Sequence, residues 1–369
     1  MVRRVVARSR LVRLHFARPI CTAQGEFTER ESVLLELRDA DGVAGFGEAA
    51  PWPGFGTGTA GEALAALTGA ESLLFEEAPL PGAWPAGLDA QLGLAPAARA
   101  AVEGALWDLA ARRAGQPLAD VLAARVGALH GVGRGAVQPA VLRHVPTSAL
   151  LVARDADALR EEAARVRASG HRAAKIKLGA ATLAEDVARS RAAREGLGAA
   201  VMLRGDANGA WDLFTARAAL AALADFDFDY VEQPLAADDF EGLALLHRDA
   251  PTRLAADESV ATEAGARRLL ATAAVDVVVL KPATLGGPAR ALEVAVAARQ
   301  AGVEVVFSHT FESAVGARHA LHCAAAWGDP SAVHGLCTAG LFVSDVAEPV
   351  ACRGGRAELS TAPGLGVTP

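Results

Sequence analysis

The sequence predicts a mixed α/β protein: a (β/α)8-type barrel carrying an α+β capping domain formed by the N-terminal third and the C-terminal tail. Three observations predict it. Over residues 131–339, short apolar runs alternate with amphipathic helical stretches, eight times in all. Residues 1–130 run from extended segments into helical ones, and beyond Ala339 the alternation stops and strand-like sequence returns. Regular strand–helix alternation implies right-handed crossovers and a parallel sheet, and eight repeats favour closure over an open sheet. The expected boundaries are a capping domain over 1–130, completed by 340–369, and a barrel over 131–339.

Val2–Phe16 opens the chain. It holds Arg3, Arg4, Arg8, Arg10 and Arg13, but it reads as an extended strand and lacks the Ser-rich helical pattern of an organellar presequence. Glu31–Arg38 follows as a second strand, and Asp39-Ala40-Asp41-Gly42 turns into a third at Val43–Glu48, making a meander. Helices are expected at Ala60–Phe75 and Ala97–Ala114. In the second, Ala101, Ala105, Leu106 and Leu109 form an apolar stripe, and Arg112 and Arg113 precede Gly115. The loops Ala17–Arg30 and Trp52–Thr59, with Gly25, Gly54, Gly56 and Gly58 and few bulky anchors, are expected to be mobile and to close over a substrate.

The eight barrel strands are expected at Val137–Leu142, Ala174–Leu178, Ala200–Leu203, Asp229–Val231, Arg253–Ala256, Val275–Leu280, Val303–Phe307 and Val333–Leu336. Segments such as Asp212–Leu223 and Pro288–Ala301 supply helices between them. Leu341–Leu359, with a Gly354-Gly355 turn, is expected to return to the capping domain.

Composition narrows the function. The 369 residues are 52% hydrophobic and 21% charged, which suits a large core and not disorder. A formal net charge of −7 argues against a nucleic-acid partner. No uninterrupted apolar stretch of about 18 residues occurs, so no membrane span is expected. Cys21, Cys323, Cys337 and Cys352 form no close pair, which disfavours a disulfide scaffold or zinc ribbon and suits reduced thiols in a cytoplasmic protein. A homo-oligomer is allowed for, since oligomeric state is not legible in these residues.

Barrel chemistry gathers at the C-terminal ends of the strands. There the sequence places Lys175-Ile176-Lys177, Asp206, Glu232, Asp257 and Lys281 on successive units. From Asp206 to Lys281 these residues recur about every 25 residues, one strand plus one helix. Three carboxylates sharing one mouth cannot all stay ionised unaided. At about 4 Å, like charges repel by roughly 4 kcal/mol even at an effective dielectric of 20. Either one is protonated or a cation sits among them. Hard oxygen ligands without His or Cys point to Mg2+, with Mn2+ as the alternative, rather than zinc.

Period-two alternation points Lys175 and Lys177 the same way, with Lys281 across the mouth. A free lysine, with pKa about 10.4, is a poor base, and a divalent cation or other ammonium groups nearby are expected to lower it. Metal plus lysine suits removal of a proton α to a carboxylate, because the cation stabilises the charge that develops on the carboxylate oxygens. A lysine base beside a divalent cation is a recurring solution to that chemistry.

Lys175-x-Lys177, Asp206-x-Asn208, Glu232-x-Pro234, Asp257-Glu258-Ser259 and Lys281-Pro282 resemble the enolase superfamily, muconate-lactonising subgroup, over essentially the whole chain. Within it the likeness is to the o-succinylbenzoate synthases. Gly45 to Phe55 looks like their capping loop, and Ser308 to Gly316 and His334 to Thr338 look like their seventh and eighth strand ends. The resemblance implies syn dehydration of a succinyl-bearing cyclohexadiene carboxylate in menaquinone biosynthesis, a small-molecule substrate. It implies that Lys177 abstracts the α-proton, that Lys281 stabilises the opposite face as a cation, and that Lys175 helps neutralise the substrate carboxylate. It further implies Asp206, Glu232 and Asp257 as metal ligands, with Asn208 and Glu258 as their partners. Trp52, Phe55, Ser308 and Thr310 are the expected substrate-binding residues.

One departure stands out. His309 interrupts Ser308 and Thr310 where the family often has small hydroxyl residues. A strand-seven His serves as base in the mandelate-racemase branch, but that role needs an Asp on strand six, where this chain has Lys281. His309 is therefore read as packing or lining. His319-x-x-His322 is read as a helix-face pair rather than a metal site. The nearest rivals are dipeptide epimerases and N-acylamino acid racemases, with Lys177 and Lys281 as opposed acid and base, and muconate cycloisomerases. Dipeptide epimerases generally carry Asp-x-Asp at the eighth strand, and Gly335-Leu336-Cys337-Thr338 lacks it. A non-catalytic barrel would not need all five charged groups, and a Schiff-base aldolase would not need three acids.

Overall fold

The structure, a computed structural model, describes residues 5–22, 25–76, 87–88, 92, 95–129, 140–337 and 340–369. The chain opens with an antiparallel meander of β1 (Val5–Thr22), β2 (Gly25–Asp39) and β3 (Ala44–Ala49). The expected turn closes it: Asp39 Oδ1 accepts from the Asp41 and Val43 amides, both at 2.9 Å. Helices α1 (Ala60–Glu76), α2 (Pro96–Arg113) and α3 (Leu118–Leu129) follow. The sheet and α2 approach so closely that a Cβ at Gly47 would lie 1.9 Å from the Ala101 carbonyl oxygen. Only glycine fits there. Val33, Leu35 and Leu37 of β2 pack with Leu67, Leu106 and Leu109 in a core of their own.

A parallel sheet comes next, made of β5 (Ala149–Leu150), β6 (Ala173–Lys177), β7 (Met202–Asp206), β8 (Phe228–Glu232), β9 (Leu254–Ala256), β10 (Val277–Leu280) and β11 (Glu304–Phe307), in that spatial order. The eighth stave is reduced to bridge residues. His334 N donates to Pro146 O at 2.9 Å, Ser148 N to His334 O at 2.8 Å and Gly335 N to Phe307 O at 2.8 Å. These bonds join the two edges of the sheet, which removes the open edges a seven-stranded sheet would expose.

The first barrel strand corrects the sequence expectation. Residues 137–139 of Val137–Leu142 lie outside the described residues, and 140–142 are not strand. The strand is Ala149–Leu150. Polar Thr147 and Ser148 break the apolar pattern ahead of it, so periodicity could not find it. The preceding β4 (His144–Pro146) instead pairs antiparallel with the tail hairpin, β12 (Cys352–Arg353) and β13 (Arg356–Glu358), which turns at Gly354-Gly355. Between Leu341 and Ala351 the tail forms no strand, contrary to the strand-like expectation. It still returns to the N-terminal helices, where Leu118 N donates to Gly364 O at 2.9 Å and Leu365 N to Asp108 Oδ1 at 2.7 Å.

Two devices join the parts. Buried Glu48, at the end of β3, accepts from Ser313 N at 3.1 Å and Gly316 N at 2.9 Å, at the first turn of helix Ala314–Trp327. From the same helix, His319 Nε2 bonds Phe46 O at 3.0 Å, and His322 Nδ1 accepts from Ala119 N at 3.0 Å. The two histidines are thus packing groups. Burial lowers the His322 pKa to about 3, so the ring folds neutral. A depressed pKa contributes stability that is present above pH 6.5 and is lost as pH falls toward 3. Replacing His322 with glutamine should therefore flatten the pH dependence of stability by about 1.4 kcal/mol per unit below pH 6.5. Urea unfolding of both proteins at pH 7, 6 and 5 checks this, and parallel curves would reject it. Among the described residues, no helix is long and apolar enough to cross a membrane.

Candidate active site

Register places the chemistry. Lys177 pairs with Asp206 and Asp206 with Glu232 across β6, β7 and β8, so the three stand side by side at the strand ends. One layer below, Lys175 pairs with Arg204 and Arg204 with Tyr230. Alternation turns Ala174, Ile176, Leu203 and Val231 toward the helices and these polar groups inward. Asp257 and Lys281 follow directly on β9 and β10. Asn208, Gln233 and Phe311, just past β7, β8 and β11, all adopt positive φ, at 45°, 41° and 56°. Backbone in that region is strained for such side chains, and strain of this kind gathers at functional sites.

The charged groups form one network. Lys175 Nζ donates to Asp206 Oδ2 at 2.9 Å and to Glu232 Oε1 at 3.0 Å. Lys177 Nζ donates to Asp206 Oδ2 at 2.7 Å and to Asn208 Oδ1 at 2.8 Å. Asn208 Nδ2 donates to Glu258 Oε1 at 2.9 Å, and Lys281 Nζ donates to Asp257 Oδ2. Burial would raise the Asp206 carboxyl, but Lys175 and Lys177 hold it far below the usual carboxylate range. Glu232 is pushed up to about 8 by burial and by the Asp206 charge. Asp257 rises to about 6 through burial, with Lys281 opposing. Burial pulls Lys175 and Lys281 down, yet the carboxylates around them outweigh it and raise both above the ordinary lysine value.

The residues present suit a hard cation in donor type. Asp257 Oδ1 and Glu258 Oε2 are buried and take no hydrogen bond, and Glu232 and Asp257 are disfavoured as anions without further positive charge. As the side chains stand, no group of three or more His, Cys, Asp or Glu among the described residues is arranged to hold a metal ion. Ammonium groups supply the countercharge in that place. Asp206, Glu232 and Asp257 are the residues that would hold the ion.

One cavity collects most of the expected residues: Trp52, Phe55, Lys175, Lys177, Asp206, Asn208, Asp257, Lys281, Ser308 and Thr310 all line it. Glu232 and Glu258 are not among the residues that line it. Ser308 Oγ donates to Gly335 O at 3.1 Å, and Thr310 Oγ1 accepts from Arg30 at 3.4 Å, so both hydroxyls are engaged by protein. Phe55 lays its ring 4.3 Å from Lys281 Nζ. His309 also lines the cavity, with its side chain largely buried and Nδ1 3.0 Å from Glu312 Oε2, in keeping with the packing or lining reading.

Ala17–Arg30, expected as a capping loop, instead falls largely within strands β1 and β2, and the loop after β3 has bulky anchors where few were expected. Trp52 is buried, with its ring 4.5 Å from Phe27 and 5.6 Å from Phe311. The buried Arg30 guanidinium donates to the Pro51 and Ala50 carbonyls and lies 4.9 Å over the Trp52 ring. Glycine count hid this, because the anchors come from β2 and from after β11.

Sequence reasoning missed Arg30, Gln233 and the wall residues Ser148, Leu150 and Cys337. Gln233 Oε1 accepts from Asp257 N at 3.0 Å and from Ser259 N at 3.1 Å, which aligns β9 with β8. Ser148 and Leu150 were missed with the first barrel strand. Gln233 stands within the Glu232-Gln233-Pro234 segment and could have been weighed; nothing local signals Arg30.

Comparison with known proteins agrees with this architecture. A family model described as mandelate racemase / muconate lactonizing enzyme, N-terminal domain, matches residues 5–123, and one described as enolase C-terminal domain-like matches residues 158–369. An o-succinylbenzoate synthase from Mycolicibacterium smegmatis is 41% identical over 215 residues, which are 57% of this chain and 64% of that enzyme. A hydrophobic dipeptide epimerase from Enterococcus faecalis is 32% identical over 362 residues, 94% of each chain. A solved structure of the dipeptide epimerase from Enterococcus faecalis V583, complexed with Mg and the dipeptide L-Leu-L-Tyr, superposes with a TM-score of 0.86 at 26% identity, covering 100% of both chains. The chain belongs to the mandelate racemase and muconate-lactonising enzymes of the enolase superfamily.

Proposed function

We propose that this enzyme abstracts a proton α to a carboxylate and acts as an o-succinylbenzoate synthase, dehydrating 2-succinyl-6-hydroxy-2,4-cyclohexadiene-1-carboxylate. One observation carries the choice of substrate charge. Three ammonium groups, Lys175, Lys177 and Lys281, line a cavity whose lining acids, Asp206 and Asp257, are already paired with them. That wall suits an anion. The ammonium of a free dipeptide would meet Gly335 and Cys337 at the eighth stave, where no carboxylate lines the cavity among the described residues.

In this reading Lys177, in its neutral form, takes the α-proton and, as the conjugate acid, passes it to the hydroxyl that leaves from the same face as water. Asn208 and Asp206 hold its Nζ in place. Lys281 stays a cation opposite the developing charge, with Phe55 against it, and Lys175 offsets the substrate carboxylate. Asp206, Glu232 and Asp257 would hold Mg2+, or Mn2+, which would supply Lewis-acid stabilisation of that carboxylate.

Incubation in deuterated water with this substrate and a panel of N-succinyl amino acids and dipeptides tests the reading. The expected result is dehydration of the cyclohexadiene without α-deuteration of the panel. Deuterium entering N-succinyl amino acids would identify a racemase, and deuterium entering dipeptides an epimerase; either without dehydration would replace the reading.

A further inference from the structure

Lys177 ends β6, and the sheet beside it stops one rung short. On the side of the first barrel strand, Lys175 pairs with Leu150, and Leu151 N donates to Lys175 O at 2.9 Å. Parallel pairing would next join Ala153 N to Lys177 O. β5 has already ended at Leu150, however, and Ala153 N donates instead to Glu162 Oε2 at 2.9 Å, beside Val152 N at 3.0 Å. The Lys177 carbonyl therefore has to find its partner outside the ladder.

Helix Leu183–Leu197 supplies it. Arg189 Nη1 donates to Lys177 O at 2.8 Å, and Asp186 Oδ2 accepts from Gly179 N at 2.7 Å. Between them, Leu178 N donates to Asp206 O at 2.8 Å. Gly179 has a φ of 76°, and a Cβ there would lie 2.6 Å from Ala210 Cβ, so only glycine lets the chain leave the strand along this path. The Arg189 and Asp186 side chains are 15% and 2% exposed and approach to 3.7 Å. Arg189 Nε and Asp186 Oδ1 are buried and take no hydrogen bond, and an incompletely satisfied buried pair is a weak source of stability. What the pair does secure is the place of the strand end.

We infer that Arg189 and Asp186 are positioning residues for Lys177, gripping the backbone on either side of Leu178 so that the amine meets the α-proton in line. Neither lines the catalytic cavity. Asp206 and Asn208 hold the Nζ end of Lys177, and this clamp holds its backbone end. With the backbone released, the strand end shifts and Nζ moves off the line of proton transfer, while substrate binding, which draws on the rest of the wall, is spared. The inference rests on Lys177 as the base, and not on which carboxylate it deprotonates.

Steady-state kinetics, on whichever substrate of the deuterated-water panel the enzyme turns over, tests the clamp. Circular dichroism sets the folded fraction of each variant. Arg189→Met keeps the stem and removes the donor, and kcat per folded molecule should fall roughly 10- to 100-fold, the cost of a misplacement of about 1 Å. KM should hold nearly constant, and Arg189→Lys, which keeps a donor, should lie between Arg189→Met and the wild type. Should Arg189→Met not fold, Asp186→Ala releases Gly179 N alone and carries the same expectation. Wild-type kcat per folded molecule, a loss confined to KM, or an Arg189→Lys protein no better than Arg189→Met would overturn the inference. A fully active Lys177→Ala protein would sink the base assignment beneath it, whereas an impaired Lys177→Ala beside an unimpaired Arg189→Met would sink the clamp alone.

Discussion

Replacing Lys177 with alanine should lower kcat by about 10²–10⁴-fold, the usual worth of a positioned general acid–base. The residue is placed by three independent constraints: its strand register opposite Asp206, the hydrogen bond to Asp206 at 2.7 Å and the hydrogen bond to Asn208 at 2.8 Å. No other lysine shares that set. Lys175 is committed to Asp206 and Glu232 together, and Lys281 to Asp257. Steady-state kinetics on the succinyl-cyclohexadiene carboxylate, with circular dichroism to confirm folding, measures the effect. Near wild-type kcat in a folded Lys177→Ala protein would move the base elsewhere on the rim. A parallel Lys281→Ala variant should also lose turnover, and retained α-exchange there would show the two lysines acting separately.

Chelation should abolish turnover, and added Mg2+ should restore it. The physical reason is electrostatic. Three buried carboxylates share the mouth, and even with Lys175 and Lys281 present, burial and mutual repulsion push Glu232 to about 8 and Asp257 to about 6. Asp257 Oδ1 also has no partner. A divalent ion answers both deficits. It should stabilise the fold as well, by about 2.7 kcal/mol at a hundredfold excess over Kd. Thermal unfolding with and without Mg2+ reads this without any substrate, and Asp206→Asn should erase the shift. Unchanged turnover and Tm after EDTA would remove the metal from the mechanism.

The site was more legible than its surroundings. Lys175, Lys177, Asp206, Asp257 and Lys281 could be named because each sits at the end of an apolar run, and parallel strands of a barrel must deliver such residues to one rim. The sequence argument about lysine protonation did not weigh the carboxylates hydrogen-bonded to Lys175 and Lys281, because local periodicity does not show which acid meets which ammonium. The anchor-poor reading of Trp52–Thr59 failed because glycine content says nothing of Arg30, whose partners lie in another strand and loop.

What the sequence by itself determined was the order of units and the charged residue each one carries to its strand end, since both follow from local periodicity along the chain. What only the tertiary structure decided were the pairings between distant segments: the short first strand at Ala149–Leu150, the buried Trp52 held by Arg30, and Glu48 at the first turn of helix Ala314–Trp327. Such contacts depend on which backbone groups and side chains meet in three dimensions once the sheet has closed. Hydrophobic period records which face of an element is buried but not what lies against it.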